Sequence, residues 1–325
     1  MFDYIIKKID KAKIIKKPYD HFYIQNLFSL KHFSQLIKTK EININNKKNN
    51  DDLFASLFKN GYKIIGFPGC ITSQKKYVKW QENKINNTST NIHSACEGFG
   101  MTLRLYKPES EILIKLKKFI SSKKFNSTIA KKFNIKFSET TTDNGIQKYL
   151  DGYEISPHPD YRNKAATFMV NINPHKNSEN LSHHTHYLKT KNEFNYVTNF
   201  WHNNKDIQRS WIPWNWCEAD FIQSKNNSIV LFSPSDFTLH GVKAKYNHLK
   251  GQRTQLYGNL WYKKVNKLKM IDWETLDFKN KNTKIKNITQ LNMLNLIPPS
   301  IKNIIKKVTV NRNKKNVIKD RLKKL

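Results

Sequence analysis

Cysteine is scarce in this chain, with three in 325 residues: Cys70, Cys96 and Cys217. They are widely spaced and form no metal-ligand pattern. That excludes a disulfide framework and points to free thiols in a reducing compartment. Long apolar runs are missing too, and no stretch approaches the roughly 20 residues that a membrane span needs. The first residues, MFDYIIKKIDKAKIIKKP, are broken by charge every few positions. They hold no apolar core segment and no small-residue cleavage site, so no secretory signal is expected and the expected location is cytoplasmic. Acidic residues are few, 25 against 58 Lys and Arg, leaving a net charge of +33. Arginine is rarer still, at six residues, so the charge is almost all lysine. Lysine, asparagine and isoleucine are enriched together and along the whole chain, as an A+T-rich coding sequence would produce. Nucleic-acid sites favour arginine for its planar fork. Compositional drift therefore accounts for the charge better than a polyanion site does. Nucleic acid is not the expected partner, although the charge alone leaves it open.

What is present is enough for a sizeable core: 38% hydrophobic and 12% aromatic residues. Residues 1–20 read as a loosely ordered lead-in. HFYIQNLFS (21–29) reads as a short strand running into a helix that continues through HFSQLIKTK. EININNKKNNDD (41–52) is a polar loop, followed by a helix that starts at Asp51 or Asp52 and stops at Gly61. YKIIGFPG (62–69) and MTLRLYKP (101–108) read as strands, and EILIKLKKFISSKK as an amphipathic helix with Ile112, Leu116, Phe119 and Ile120 on one side. Residues 75–95 carry no assignable pattern. From Gln147 to Tyr262 the chain becomes β-rich. KYLDGYEI is a strand with a Gly irregularity, and AATFMVNIN, NNSIVLFSP, TLHGVKAKY and RTQLYGNLWY are further strands, the last two joined by a loop containing Gly251. Short strands separated by turn signals indicate a double-sheet jelly roll, and helices before it indicate buttressing of one sheet. The expected class is α+β with a mainly β core.

Two segments carry chemistry. YLDGYEISPHPD holds the only His-x-Asp, His158 and Asp160. In an extended strand residues i and i+2 point to one side, so an imidazole and a carboxylate would meet at one point. His-x-Asp alone is weak, because a strand-ending Asp gives the same tripeptide. The context adds a distal His240 and, thirteen residues later, Arg253. Two imidazoles and one carboxylate leave three metal positions open, and an arginine one strand further suits an anionic co-substrate. If Arg253 faces a cavity, so do Gln255, Tyr257, Asn259 and Trp261, while Thr254, Leu256 and Leu260 face a core between sheet and helices. Thr167 and Met169 are expected in the same cavity wall.

YLDGYEISPHPD, the strand AATFMVNIN and LHGVKA…GQRTQLYGNLWY together resemble the Fe(II)- and 2-oxoglutarate-dependent dioxygenases, in particular their prolyl-4-hydroxylase-like branch. The resemblance is specific over 147–173 and 228–262. It implies a double-stranded β-helix (a cupin-like jelly roll) and one Fe(II) held by His158, Asp160 and His240. It also implies oxidation by O2 coupled to 2-oxoglutarate decarboxylation, with release of succinate and CO2. Arg253 would grip the distal carboxylate of 2-oxoglutarate, with Tyr149 on the same carboxylate; Thr167, from the facing strand of the cavity wall, is a further candidate for co-substrate binding. In that branch the anchoring base is often lysine; here it is arginine.

Residues 1–262 are thus expected to form one dioxygenase domain, with supporting elements in 21–146, a jelly-roll core in 147–262 and an insert at 174–225. Residues 263–325 form a basic, partly helical tail, split by Pro298 and Pro299, that is solvated rather than docked on a partner. The insert holds His175, His183, His184 and His186 and then Trp201, Trp211, Trp214 and Trp216. HHTH lacks the nearby Cys or carboxylate pair that would complete a second metal site. His184, His186 and Trp211, with Tyr257, Asn259 and Trp261, are candidate substrate contacts, and the insert as a whole is expected to act as a substrate lid. The tryptophans either stack on a sugar or proline ring or form a small satellite core. The expected substrate is a small molecule, a glycan or a prolyl-type peptide. Two other readings compete. A nucleic-acid demethylase would carry a second arginine at position 259, where this chain has Asn. A non-catalytic metal-binding β-sandwich would close its metal with four ligands.

Overall fold

The computed structural model describes residues 1–44, 46–66, 70–83, 100–265 and 267–269. Met1–Ile271 form one compact unit. In its first half the elements are α1 (Tyr4–Lys11), β1 (His21–Ile24), α2 (Leu30–Ile37), α3 (Asn50–Lys59), β2 (Tyr62–Ile65), α4 (Gln74–Glu82), β3 (Thr102–Leu105), α5 (Glu111–Ile120) and α6 (Lys123–Lys132). The second half holds β4 (Thr140–Tyr149), β5 (Glu154–His158), β6 (Lys164–Asn171), β7 (Thr185–Thr190), α7 (Asn195–Asn203), β8 (Cys217–Gln223), β9 (Ile229–Phe232), β10 (His240–Lys243) and β11 (Arg253–Tyr262). The strands form two antiparallel sheets. One runs β1-β9-β6-β11-β4-β3-β2 and the other β5-β10-β7-β8. This is the β-dominated α+β architecture expected.

β11 is the spine of the larger sheet. It pairs along its whole length with β4, from Arg253 opposite Tyr149 to Tyr262 opposite Thr140, and on its other side with β6. Period-two alternation separates its faces. Leu256 and Leu260 enter the main core with Phe168, Val170, Ile146 and Leu103, against Leu113, Leu116 and Ile120 of α5 and Phe125 and Ile129 of α6. The opposite face carries Arg253, Gln255 and Tyr257 into a cavity. That cavity is also lined by Tyr149, Thr167 and Met169 of the same sheet and by His158, Thr185, His240 and Val242 of the smaller one. It therefore lies between the two sheets.

Several expectations need correction. Residues 1–20 are not loosely ordered. α1 buries Ile5, Ile6 and Ile9, with Phe2 beside them, and Phe2 packs against Phe28 and Phe119 at 5.9 and 5.7 Å. The lysines that made this stretch look solvated occupy the other side of one apolar stripe, and each buried side chain contributes roughly 1.5–3 kcal/mol. Residues 75–82 belong to α4, started by the Ser73 side chain, and residues 84–95 lie outside the described residues. Two helices, not one, follow β3, because Ser122 opens α6 by accepting from the Phe125 N–H. The described residues of the 41–48 tract form a loop, but a pinned one. Glu41 is buried and accepts the Glu109 and Ser110 N–H groups, each at 2.8 Å, where α5 begins. KYLDGYEI is not one strand. It is the end of β4 and the start of β5 in different sheets, turned through Gly152 at φ +79°. The region 174–225 is not a structureless insert, for β7 and β8 supply half of the smaller sheet. β8 is mostly exposed, which left its alternation without an apolar signal. Cys96, residues 67–69 and 270–325, with Pro298 and Pro299, lie outside the described residues.

Lys148, on the helix side of β4 opposite Thr254, is fully buried. Its ammonium donates to the Ile42 carbonyl and to Thr254 Oγ1, both at 2.8 Å. Burial pushes its pKa down to about 7, whereas an unfolded chain titrates lysine near ~10.4. Between those values the unfolded chain binds a proton that the folded chain does not. Stability therefore rises with pH above about 7, and below 7 the buried charge is a constant penalty. Between pH 7 and 9 the unfolding free energy of the wild type should rise by about 2 kcal/mol more than that of Lys148→Met. Urea titrations at a series of pH values measure this, and parallel curves would show that Lys148 stays charged.

Candidate active site

β5 and β10 are neighbours, and His158 and His240 are direct cross-strand partners with ring centroids 4.3 Å apart. His158 closes β5, and Pro159, with no N–H to give, ends the ladder. Asp160 then turns back at φ +58°, a left-handed conformation that Asp tolerates better than most residues. The two side chains thus converge through a turn, not through the i, i+2 geometry of one strand. Asp160 Oδ1 lies 3.6 Å from His158 Nε2, and Oδ2 lies 3.8 Å from His240 Nε2. Among the described residues, His158, Asp160 and His240 are the one group of three or more His, Cys, Asp or Glu side chains arranged to hold a metal. HHTH forms no second such site there.

The ligand atoms are prepared by their neighbours. His158 Nδ1 is 2.9 Å from the Ser156 carbonyl, and His240 Nδ1 is 3.2 Å from the Thr238 carbonyl. A carbonyl only accepts, so each Nδ1 carries the proton and each Nε2 presents its lone pair to the shared point. Burial, with His158 adding to it, pushes His240 down to about 3, so it is a neutral imidazole at physiological pH. Burial alone would raise Asp160, but Lys164, His240 and His158 overcome it and hold the carboxyl well below its ordinary value. The Thr167 hydroxyl donates to Asp160 Oδ2 at 2.8 Å and lies 2.9 Å from the Asn259 amide. Lys164 Nζ reaches Asp160 Oδ1 at 2.5 Å and sits 5.3 Å from the Trp261 ring centroid. Two oriented imidazoles and one ionised carboxylate are a donor set that fits a divalent first-row metal with positions left open.

Arg253 opens the other end of the cavity. It is 2% exposed, its guanidinium lies 4.5 Å from the Tyr149 ring, and Nη2 donates to Thr185 Oγ1 at 2.9 Å. Among the described residues Nη1 has no partner and no carboxylate is within ion-pair distance. Burial works against its charge, and the tyrosines that act on it, 149, 153, 246 and 187, are no counter-ion. A buried guanidinium without a counter-ion is costly, and the one here is what a ligand carboxylate would satisfy.

The remaining expected residues divide. Tyr149, Thr167, Tyr257 and Trp211 line the cavity. Thr167 is committed to the Asp160 carboxylate, so its place is beside the metal ligand. Asn259 supports Thr167 and Tyr257 from behind. Trp261 lies under Lys164, outside the lining. His184 and His186 are not in the lining either: His184 Nε2 is bound to the Glu179 carbonyl at 3.1 Å, and His186 meets Trp214 edge-on at 5.7 Å. Burial first, and the Arg253 charge second, push His183 down to about 2 and His184 to about 4, so these rings stay neutral around the arginine. Trp214 donates to Glu154 at 2.7 Å and packs over Gly241, where a side chain would collide with the indole. Trp216 stacks on Phe194, and Trp201 is fully buried. These three fasten the 174–225 region, leaving Trp211 as the insert tryptophan that faces the cavity. Sequence reasoning missed Lys164, Gln147, Tyr153 and Arg209. The scarcity of arginine that singled out Arg253 applies equally to Arg209.

No family model and no curated protein matches the chain. Among solved structures it is similar to a Pseudomonas putida prolyl-4-hydroxylase, at 7% identity over 81% of this chain and 100% of that one, with a TM-score of 0.36. It is similar to a Trichoplax adhaerens prolyl hydroxylase solved with a hypoxia-inducible-factor peptide fragment, at 13% identity over 66% and 89%, TM-score 0.30. A third is a 2-oxoglutarate/Fe(II) oxygenase-family oxidoreductase from Burkholderia pseudomallei, at 9% identity over 71% and 99%, TM-score 0.29. At such scores the overlap in shape carries no functional weight, and the chemistry rests on the side chains above.

Proposed function

We propose that the chain is an Fe(II)- and 2-oxoglutarate-dependent dioxygenase with a jelly-roll core, hydroxylating a small-molecule, glycan or peptide substrate and releasing succinate and CO2. The observation that carries this reading is the pairing of two features in one cavity: a three-ligand His/Asp/His cluster, and a buried arginine with an unpartnered Nη1 and no carboxylate. His158, Asp160 and His240 would hold the iron, and Arg253, with the Tyr149 hydroxyl, the distal carboxylate of 2-oxoglutarate. Bound iron and 2-oxoglutarate would supply O2 activation driven by oxidative decarboxylation. The protein's own share is positioning. The Ser156 and Thr238 carbonyls fix both imidazole tautomers, and Thr167 fixes the carboxylate. The walls contributed by Tyr153, Ile155, Met169 and Val242 exclude water and strengthen every charge interaction inside. Three protein ligands favour an open metal over the closed site of a structural zinc module. Asn259 in place of a second arginine, buried behind Thr167, speaks against a nucleic-acid demethylase. No described helix is long and apolar enough to cross a membrane.

The test needs no substrate. Protein mixed anaerobically with Fe(II) and 2-oxoglutarate should develop a weak metal-to-ligand charge-transfer band in the visible that requires both additions. Absence of the band in folded, metal-loaded protein would refute the assignment. A screen of metabolites and peptides scored by succinate release then finds the substrate.

A further inference from the structure

Segment 207–212 is fastened on both sides of the metal-binding turn. The Ile212 N–H donates to the Pro157 carbonyl at 2.8 Å, and Gln208 Oε1 accepts the Arg162 N–H at 2.9 Å. This places Arg209, Ser210 and Trp211 in the wall of the cavity that holds His158, Asp160 and His240. Two arginines stand here, and they differ. Arg162 is fully used: Nε donates to the Ile207 carbonyl at 2.6 Å, Nη1 to Asp236 Oδ1 at 2.8 Å and Nη2 to the Trp201 carbonyl at 2.7 Å. Lys205 takes the other Asp236 oxygen at 2.7 Å. Arg209 is left over. Its Nη1 is 3.9 Å from the oxygen that Arg162 already holds, its Nε has no partner among the described residues, and its side chain is 3% exposed. Three cations thus surround one carboxylate. Burial, with Arg162 adding to it, pushes Arg209 down to about 10, so it is charged at neutral pH.

We propose that Arg209 receives an anionic group, a carboxylate or a phosphate, of the primary substrate, at a subsite separate from Arg253. The proposal rests on the dioxygenase reading only in calling the bound molecule a substrate. A buried guanidinium with free donors binds such a group through charge-assisted hydrogen bonds, and the body of the ligand would lie against Tyr161, Trp211 and Ile155. The substrate class narrows accordingly. A neutral glycan or an internal prolyl residue lacks this charge, while an amino acid, a sugar acid or a phosphorylated metabolite carries it.

Benzoate, phenyl phosphate and benzamide share a ring that suits these walls and differ in charge. Calorimetric titrations with each are run on two backgrounds: protein holding Fe(II) and 2-oxoglutarate without oxygen, and Arg253→Met protein without either. On both, at least one anion should bind about 10-fold or more tightly than benzamide, and which anion does so separates a carboxylate from a phosphate subsite. Arg209→Gln should abolish the preference and Arg209→Lys retain part of it, with benzamide binding unchanged in both; unfolding midpoints confirm that the variants fold. Equal binding of all three probes by the parent proteins, or a preference that survives Arg209→Gln, overturns the proposal. So does a loss of 2-oxoglutarate affinity in Arg209→Gln, which would assign Arg209 to the co-substrate. If Fe(II) and 2-oxoglutarate do not bind at all, the dioxygenase reading falls, and the Arg253→Met background still decides the role of Arg209.

Discussion

Asp160→Ala is expected to lose both metal binding and much of the fold's stability, for two separable reasons. The carboxylate is the one anionic ligand of the cluster, and without it two neutral imidazoles hold a divalent ion weakly. Succinate production should fall to background, a loss of about a thousand-fold or more, in line with removing a group on which the chemistry depends. The stability loss has another origin. Lys164 Nζ sits 2.5 Å from Asp160 Oδ1, with side-chain exposures of 10% and 4%. Removing one partner of a buried pair leaves an uncompensated charge and costs roughly 3–5 kcal/mol. The double variant Asp160→Ala/Lys164→Met should therefore recover most of the stability and none of the metal binding. His158→Ala, which touches no buried ion pair except through Asp160, should lose metal with a smaller stability cost. Equilibrium dialysis against Fe(II) or Co(II), beside urea unfolding of the apo-proteins, measures both. A double variant no more stable than Asp160→Ala would show that the pair is not the source of the loss.

Arg253→Met is expected to raise the half-saturating concentration of 2-oxoglutarate by about a hundred-fold or more, since truncating one member of a desolvated charge pair costs roughly 2–5 kcal/mol. Metal affinity should stay within about two-fold, because the Arg253 guanidinium is held by Thr185 Oγ1 and the Tyr149 ring rather than by the ligand cluster. The sign of the stability change separates a ligand anchor from a structural arginine. Arg253 is buried against Tyr149 with Nη1 unpartnered. A thioether of similar length removes that uncompensated charge, so the ligand-free variant should be as stable as the wild type or more so. Adding 2-oxoglutarate should raise the unfolding temperature of the wild type and leave the variant unmoved. Unfolding midpoints with and without 2-oxoglutarate test this. A variant that is less stable in the ligand-free state and equally stabilised by 2-oxoglutarate would make Arg253 a packing residue.

The His/Asp/His cluster and the buried arginine were legible as candidates because their chemistry is rare in this sequence: one His-x-Asp, six arginines, and a long strand with a polar-aromatic face. The alternation in RTQLYGNLWY correctly assigned Leu256 and Leu260 to the helix-side core and Gln255 and Tyr257 to the cavity. Less could be read where side chains meet through a turn. Asp160 reaches the imidazoles from a left-handed backbone position that no spacing rule encodes. Lys164 was one lysine among many, and only its ion pair with Asp160 sets it apart. The first helix and the strands β7 and β8 were hidden by the same lysine- and asparagine-rich drift, which places polar residues on every exposed face. The histidines of HHTH stood out by type. Their rings nevertheless pack around the arginine as neutral neighbours, because burial and a nearby positive charge decide their state more than spacing does.

The fastening of residues 207–212 to Pro157 on one side and to Arg162 on the other has a consequence for how this protein would acquire new specificities. A wall tied at both ends to the chain that carries the metal ligands cannot lengthen or shorten without dragging those ligands out of place. Divergence at this wall is therefore confined to exchanging side chains on a constant backbone, at Arg209, Ser210 and Trp211. Among relatives that share this tether, those three positions should vary with substrate while the length of the segment stays the same.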